Sequence, residues 1–201
     1  MMIRLCIFDL DGTVTSAETL PIISTNFNIR GEIDNLTKET IQGNIPFIES
    51  FIRRVHILGQ LPVNEVSLLL SNVPFYPKIL NFIKENNESC IIATGNLKCW
   101  IKELVSKIGC AYYCSEAEIE NNKVKKLTHI LRKENVVERY KYGGEKVVFI
   151  GDGNNDMEAM RVADISIASG LTHMPARSIL SITDYLVFEE ESLCRLLNQL
   201  L

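Results

Sequence analysis

Four aspartates in two short clusters carry the chemistry that this sequence suggests. In Asp9-Leu10-Asp11-Gly12-Thr13 two carboxylates one residue apart follow an apolar run, and the glycine lets the backbone turn closely around whatever binds there. In Gly151-Asp152-Gly153-Asn154-Asn155-Asp156 two more stand four residues apart, again just after an apolar run. Converging carboxylates repel one another and push their own pKa values upward, so a divalent cation is the natural resolution for four of them at one place. A hard, oxygen-preferring ion such as Mg2+ fits, because it binds through one or two carboxylates, keeps waters and takes substrate phosphate. A third segment, Thr94-Gly95-Asn96, offers a hydroxyl and backbone N–H donors that could grip an anion ahead of a helix. Taken singly, each segment also reads as an ordinary turn or helix cap.

The elements that must position these groups are visible as three apolar runs, residues 3–8, 90–93 and 147–150. Each ends abruptly in small, polar or acidic residues, the pattern of a doubly buried parallel strand opening into a functional loop. Helical patterning over 77–86, 98–108 and 155–162 alternates with them, which implies an α/β fold with a parallel sheet. In an open sheet of that kind, both acidic clusters meet at the carboxyl edge. Residues 16–73 break the rhythm with helical patterning, notably over 37–42 and 47–58, a break at Gly43-Asn44 and a further helix start near Pro62. This predicts a core of 1–15 and 74–201 with a helical domain, 16–73, inserted over a strand-end loop as a lid. Residues 117–131 alternate around Asn121-Asn122, which predicts a β-hairpin.

The chain of 201 residues is 46% apolar, enough for one substantial core and a smaller elaboration. With 21 Lys and Arg against 25 Asp and Glu, its net charge of −4 lacks the positive field that nucleic acid or an anionic membrane would select, so neither is an expected partner. No apolar run approaches the ~18 residues of a membrane span, and the opening MMIRLCIFDL is too short for a signal sequence, so a cytoplasmic location is expected. Six scattered cysteines without a C-x-x-C pair fit a reducing compartment, as small buried hydrophobes, with zinc at Cys110 and Cys114 the weaker alternative. His56, His129 and His173 follow no ligand spacing and are expected at the surface or in packing, as is Trp100 in packing. Monomer and homodimer both stay open.

In order and spacing, Asp9-x-Asp11-Gly12-Thr13, Thr94 and Gly151-Asp152-Gly153-x-Asn155-Asp156 resemble the haloacid dehalogenase superfamily of phosphohydrolases. The resemblance implies a Rossmann-like core with an inserted helical cap. It implies Asp9 as a nucleophile forming an aspartyl-phosphate, and Asp11 as general acid and then general base. Mg2+ would be held by Asp9, the Asp11 backbone carbonyl and Asp152, with Asp156 supporting bound water, while Thr94, Gly95 and Asn155 would meet the phosphate. The family also uses a lysine, for which Lys123, Lys125, Lys126 and Lys133 compete. Lys133 is favoured because residues 133–140 look like the family's lysine-led helix, and Lys123 comes second.

The insertion resembles the phosphoserine phosphatase branch in Glu18 and in the stretch from Thr40-Ile41-Gln42-Gly43-Asn44-Ile45-Pro46-Phe47 to Phe51-Ile52-Arg53-Arg54-Val55. There Glu18 would meet a substrate ammonium, Arg54 its carboxylate, and Phe47 would shield the site. Asn96, where the branch has glycine, and Asn154, where a small residue is common, depart from the pattern. The expected activity is therefore Mg2+-dependent hydrolysis of a small phosphorylated metabolite, O-phospho-L-serine first. The alternatives are another small phosphomonoester or, in a different class, a phosphomutase; the intact acids speak against a non-catalytic binding protein.

Overall fold

Residues 4–8, from the first apolar run, form the middle of a sheet. The computed structural model describes residues 4–41 and 44–201, with the side chains of Arg4, Ile41 and Phe47 outside the description. In chain order the elements are β1 (Arg4–Phe8), α1 (Thr19–Asn26), α2 (Arg30–Ile41), α3 (Phe47–Leu58), α4 (Val63–Leu70), α5 (Pro77–Glu85), β2 (Cys90–Leu97) and α6 (Lys98–Ser106). There follow β3 (Ala111–Glu120), β4 (Lys123–His129), α7 (Lys133–Tyr142), β5 (Lys146–Gly151), α8 (Met157–Val162), β6 (Ile165–Ser169), α9 (Arg177–Leu180), β7 (Tyr185–Val187) and α10 (Glu190–Leu200). Short 3-10 turns at Asn87–Ser89 and Asn154–Asp156 precede β2 and α8.

The seven strands run in the order β4-β3-β2-β1-β5-β6-β7, every pair parallel except β3 with β4. Side chains alternate across the sheet as the two-residue strand period requires. Cys6 and Phe8 of β1 with Val148 and Ile150 of β5 face one layer, which α10 and the inserted helices close with Leu193, Ile33, Val55 and Val66. Leu5, Ile7, Val147 and Phe149 face the other, closed by Val136 and Val137 of α7 and Met160 of α8. The fold is thus α/β, a mostly parallel sheet with helices on both faces.

Strand β2 runs past the expected end at Ala93, through the register shift between Thr94 and Leu97 that lets Leu97 pair with Ser115. The hairpin turns where the asparagines predicted it, both Asn121 and Asn122 taking positive φ (51° and 61°), the geometry of a tight two-residue loop. Between Ser16 and Val73 the described residues form α1 to α4 and no strand. Gly43, the expected break, lies outside the described residues.

The inserted helices are tied down at two places. At the stem, a bridge pairs Thr15 with Phe75, while Ser16 N–H donates to Pro74 O (2.9 Å) and Tyr76 N–H to Val14 O (3.0 Å). At the far corner between α3 and α4, Val63 N–H donates to Asn122 O (2.8 Å) and Val124 N–H to Gly59 O (3.0 Å), joining the corner to the β3–β4 hairpin. Among the described residues, no helix is long and apolar enough to cross a membrane.

Candidate active site

Because β2, β1 and β5 are neighbours and parallel, their carboxyl ends deliver Thr94, Asp9 and Asp152 to one edge of the sheet. Asp9 continues the ladder, its N–H donating to Ile150 O at 2.8 Å, and its Oδ1 accepts from Leu10 N–H at 2.8 Å. Lys133, the first residue of α7, reaches in from the side. Its Nζ lies 2.6 Å from Asp9 Oδ1 and 2.6 Å from Asp156 Oδ1, with all three side chains buried. The remaining oxygen of Asp156 accepts from the N–H groups of Asp152 (3.1 Å) and Gly153 (2.9 Å). Asp156 thereby knits the strand end to the following turn, and it needs a bare glycine beside it. A Cβ on Gly151 would fall 2.5 Å from Asp156 Cγ.

Asp11 leans the other way, toward the inserted helices. Its Oδ1 accepts from Thr19 N–H at 3.0 Å, at the start of α1, and its Oδ2 from Asn96 Nδ2 at 2.6 Å. Thr13 Oγ1 donates to Asp152 Oδ1 at 3.3 Å. Gly12 turns the loop at φ +66°, and a Cβ there would come within 2.7 Å of Glu18 Oε1. Only glycine serves that conformation at that spacing.

Electrostatics follow from burial and crowding. Burial raises the Asp9 pKa well above the usual carboxylate range; Lys133 opposes this, and Asp156, Asp152 and Asp11 add to it. Asp11 is pushed up to about 7 by burial and then by Glu18. Asp152 is raised too, by burial first. Burial works against the Lys133 ammonium, yet Asp156 and Asp9 hold its pKa above the ordinary lysine value. One ammonium among these carboxylates leaves a charge deficit that a divalent cation would fill. The donor set fits a hard cation, since Asp9, Asp152 and Asp156 each offer a carboxylate oxygen and these lie within 4.8 Å of one another. Lys133 and two N–H groups already engage both Asp156 oxygens, which suits that residue to support rather than direct contact.

Above the acids lies a cavity of about 390 Å³. Asp9, Asp11 and Asp152 line its floor, Thr94, Gly95 and Asn155 its side, and Glu18 and Arg54 its upper wall. Leu20, Ile33, Leu58 and Trp100 add apolar lining, and Asp34 and Thr37 of α2 add polar lining. Arg54 Nε donates to Ser50 O at 3.3 Å within α3. The backbone of Phe47 opens α3, and its side chain lies outside the described residues. Lys123 sits far from this floor, exposed on β4 opposite Glu120, and Lys125 pairs there with Glu118 and Glu120.

His173 carries contacts that the sequence reading did not give it. All three histidines are exposed, as expected, and His173 in addition places Nε2 2.9 Å from Asp152 Oδ2 and 3.1 Å from Glu18 Oε1. Those bonds, to Asp152 first, hold its pKa up at about 11. The loop after β6 brings it to the same sheet edge as the acids. Asn96, noted only as a departure, grips Asp11.

A family model described as haloacid dehalogenase-like hydrolase matches residues 3–164. The phosphoserine phosphatase of Archaeoglobus fulgidus is 28% identical over 184 residues, covering 82% of this chain and 52% of its own length, so this chain spans about half of that relative. The phosphoserine phosphatase of Methanocaldococcus jannaschii is 26% identical over 184 residues, covering 82% and 84%. Among solved structures, a phospho-aspartyl intermediate analogue of phosphoserine phosphatase superposes with a TM-score of 0.80 at 22% identity, over 94% of this chain and 95% of that one. A haloacid dehalogenase family hydrolase from Salmonella enterica serovar Typhi gives 0.80 at 18% identity, over 92% and 67%.

Proposed function

This chain belongs to the haloacid dehalogenase-like hydrolase family, and from that premise we propose that it is a Mg2+-dependent phosphomonoester hydrolase working through an aspartyl-phosphate on Asp9. The observation that carries this reading is the buried Lys133 ammonium, 2.6 Å from both Asp9 and Asp156, with Asp152 beside them on the floor of the cavity.

Asp9 Oδ1 is engaged by Leu10 N–H and Lys133, which fixes the carboxylate and presents Oδ2 for attack. As the bond from Asp9 Oδ2 to phosphorus forms, the ester P–O bond breaks and Asp11 donates its proton to the leaving oxygen. Asp11 then takes a proton from water, whose oxygen attacks the same phosphorus, releasing phosphate and restoring Asp9. A carboxyl raised to about 7 and oriented by Thr19 and Asn96 is matched to both transfers near neutral pH. Thr94, Gly95 and Asn155 hold the phosphoryl oxygens. Mg2+, held by Asp9, the Asp11 carbonyl and Asp152 with Asp156 behind them, would neutralise phosphoryl charge.

Raised carboxyl values give metal binding a pH signature. With a folded value of about 7 against an ordinary 3.8, folded Asp11 holds a proton that the unfolded chain has released. Its stabilising contribution is therefore full below ~pH 4 and lost as pH rises through 7, and Asp9 and Asp152 act in the same sense. A cation needs the ionised forms. We expect MgCl2 to raise the melting temperature more at pH 8 than at pH 5; equal shifts in thermal melts would contradict the acidic metal site.

For substrate we propose O-phospho-L-serine, with Glu18 taking the ammonium and Arg54 the carboxylate, in a cavity of small-metabolite size. The test is phosphate release from a panel of phosphomonoesters with Mg2+ or EDTA. Phosphoserine should be hydrolysed selectively and only with metal. Arg54→Ala should raise KM for phosphoserine about 10- to 100-fold, the loss of one charge-assisted hydrogen-bonded pair. Turnover of other esters but not phosphoserine would discard the roles of Glu18 and Arg54 and keep the Asp9 chemistry. One observation favours that second reading, another small phosphomonoester without an amine: His173 already engages the Glu18 carboxylate. A cytoplasmic location fits six free thiols.

A further inference from the structure

The loop between β6 and α9 carries an imidazole whose two nitrogens both have close partners. Nδ1 of His173 lies 3.0 Å from the Met174 carbonyl oxygen, which can only accept, so Nδ1 bears a proton. Nε2 points between two carboxylate oxygens, Asp152 Oδ2 at 2.9 Å and Glu18 Oε1 at 3.1 Å. Two arrangements satisfy this geometry. Either Nε2 is protonated as well and an imidazolium bridges two carboxylates, or the Nε2 lone pair and both oxygens turn onto one cation.

Three features favour the cation. Metal-ligating histidines almost always donate their second ring N–H to a carbonyl or carboxylate, which is what Nδ1 does here. Neighbouring ligands of an octahedral ion with bonds of about 2.1 Å stand about 3.0 Å apart, the spacing of Nε2 from both oxygens. The backbone also leaves room, because Gly12 lacks the Cβ that would sit 2.7 Å from Glu18 Oε1 and 3.0 Å from Asp152 Oδ2. His173 is 46% exposed, so an ion can reach it from solvent.

We infer that Glu18, Asp152 and His173 form a second cation site, suited to a first-row divalent ion that accepts nitrogen. It shares Asp152 with the oxygen-only group of Asp9, Asp152 and Asp156. When loaded, it withdraws Glu18 from any substrate ammonium, so metal supply would set which phosphoester the cavity accepts. The inference rests on the proposed Mg2+ reading only in sharing Asp152, and the test separates the two.

The test is a Mn2+ titration of the substrate-free chain followed by electron paramagnetic resonance, with pulsed detection of ¹⁴N coupling. Wild type should bind two Mn2+ per chain, one of them coupled to nitrogen. His173→Ala and His173→Gln should each bind one, without coupling, and Glu18→Gln should weaken the second ion about 10- to 100-fold. Circular dichroism checks that the variants fold; two substitutions in an exposed loop keep the test open if one fails. A single uncoupled ion in wild type and variants alike overturns the second site and leaves the hydrolase reading standing. A second ion unaffected by any of the three substitutions also overturns it. No bound ion at all removes the Asp9 metal site as well.

Discussion

Asp9→Asn is expected to lower kcat by about 10⁴-fold or more while the protein stays folded. An amide oxygen is a far poorer nucleophile than a carboxylate, and the other carboxylates on the cavity floor have the separate roles proposed above, proton transfer for Asp11 and metal binding for Asp152. The fold survives because the new side chain keeps the shape of the old one and still accepts from Leu10 N–H, as Asp9 does at 2.8 Å. Lys133 retains its partner Asp156 at 2.6 Å, and one of several crowded negative charges disappears. Phosphate release by a homogeneous preparation with a wild-type circular dichroism spectrum decides the matter; undiminished turnover would sink the aspartyl-phosphate mechanism.

Lys133→Met should have the opposite profile, with stability falling along with activity. Its side chain is 3% exposed and its ammonium bridges two buried carboxylates, so removing it leaves like charges facing each other without that counter-ion. Breaking one partner from such a buried network costs about 3–5 kcal/mol. The sign with pH is fixed by the raised lysine value: the contribution is complete at neutral pH and disappears only in strongly alkaline solution. Urea denaturation should show the loss at pH 7, and Mg2+ should restore part of it by supplying positive charge to the same carboxylates. A variant within about 1 kcal/mol of wild type would mean that the lysine does not hold the site together.

What was legible in the sequence was whatever depended on near neighbours. Residues 5–8 and 147–150 are uninterrupted apolar runs followed by Asp9 and by Gly151-Asp152, and both lie in central strands. Asn121-Asn122 specified its own turn through backbone conformation. Lys133 was less sharply marked, because four lysines lie within eleven residues: its place ahead of a helical stretch favoured it, and tertiary burial then separates it from those on β4. Helix α1 escaped notice for a local reason: it has no side-chain cap, and Pro21 interrupts a weakly patterned stretch. His173 lies 17 residues beyond Asp156, with no spacing to connect them. A usable signal existed in Ile165–Ser169, a short apolar alternation that forms β6. Had that been read as one more parallel strand, the segment after it would have been placed at the same carboxyl edge as both acidic clusters.

Ties at the stem and at the α3–α4 corner bear on how a ligand gets in. A lid swinging as one body would have to break the Thr15–Phe75 bridge or peel Val63 and Gly59 from the hairpin, so the insertion behaves as an arch fixed at both feet. Arg54, in the helix that leads to the tied corner, and Glu18, two residues past the Ser16–Pro74 tie, both line the cavity from anchored ends of the insertion. The two charged groups are therefore held at a set spacing, and a ligand must match that spacing to engage both at once.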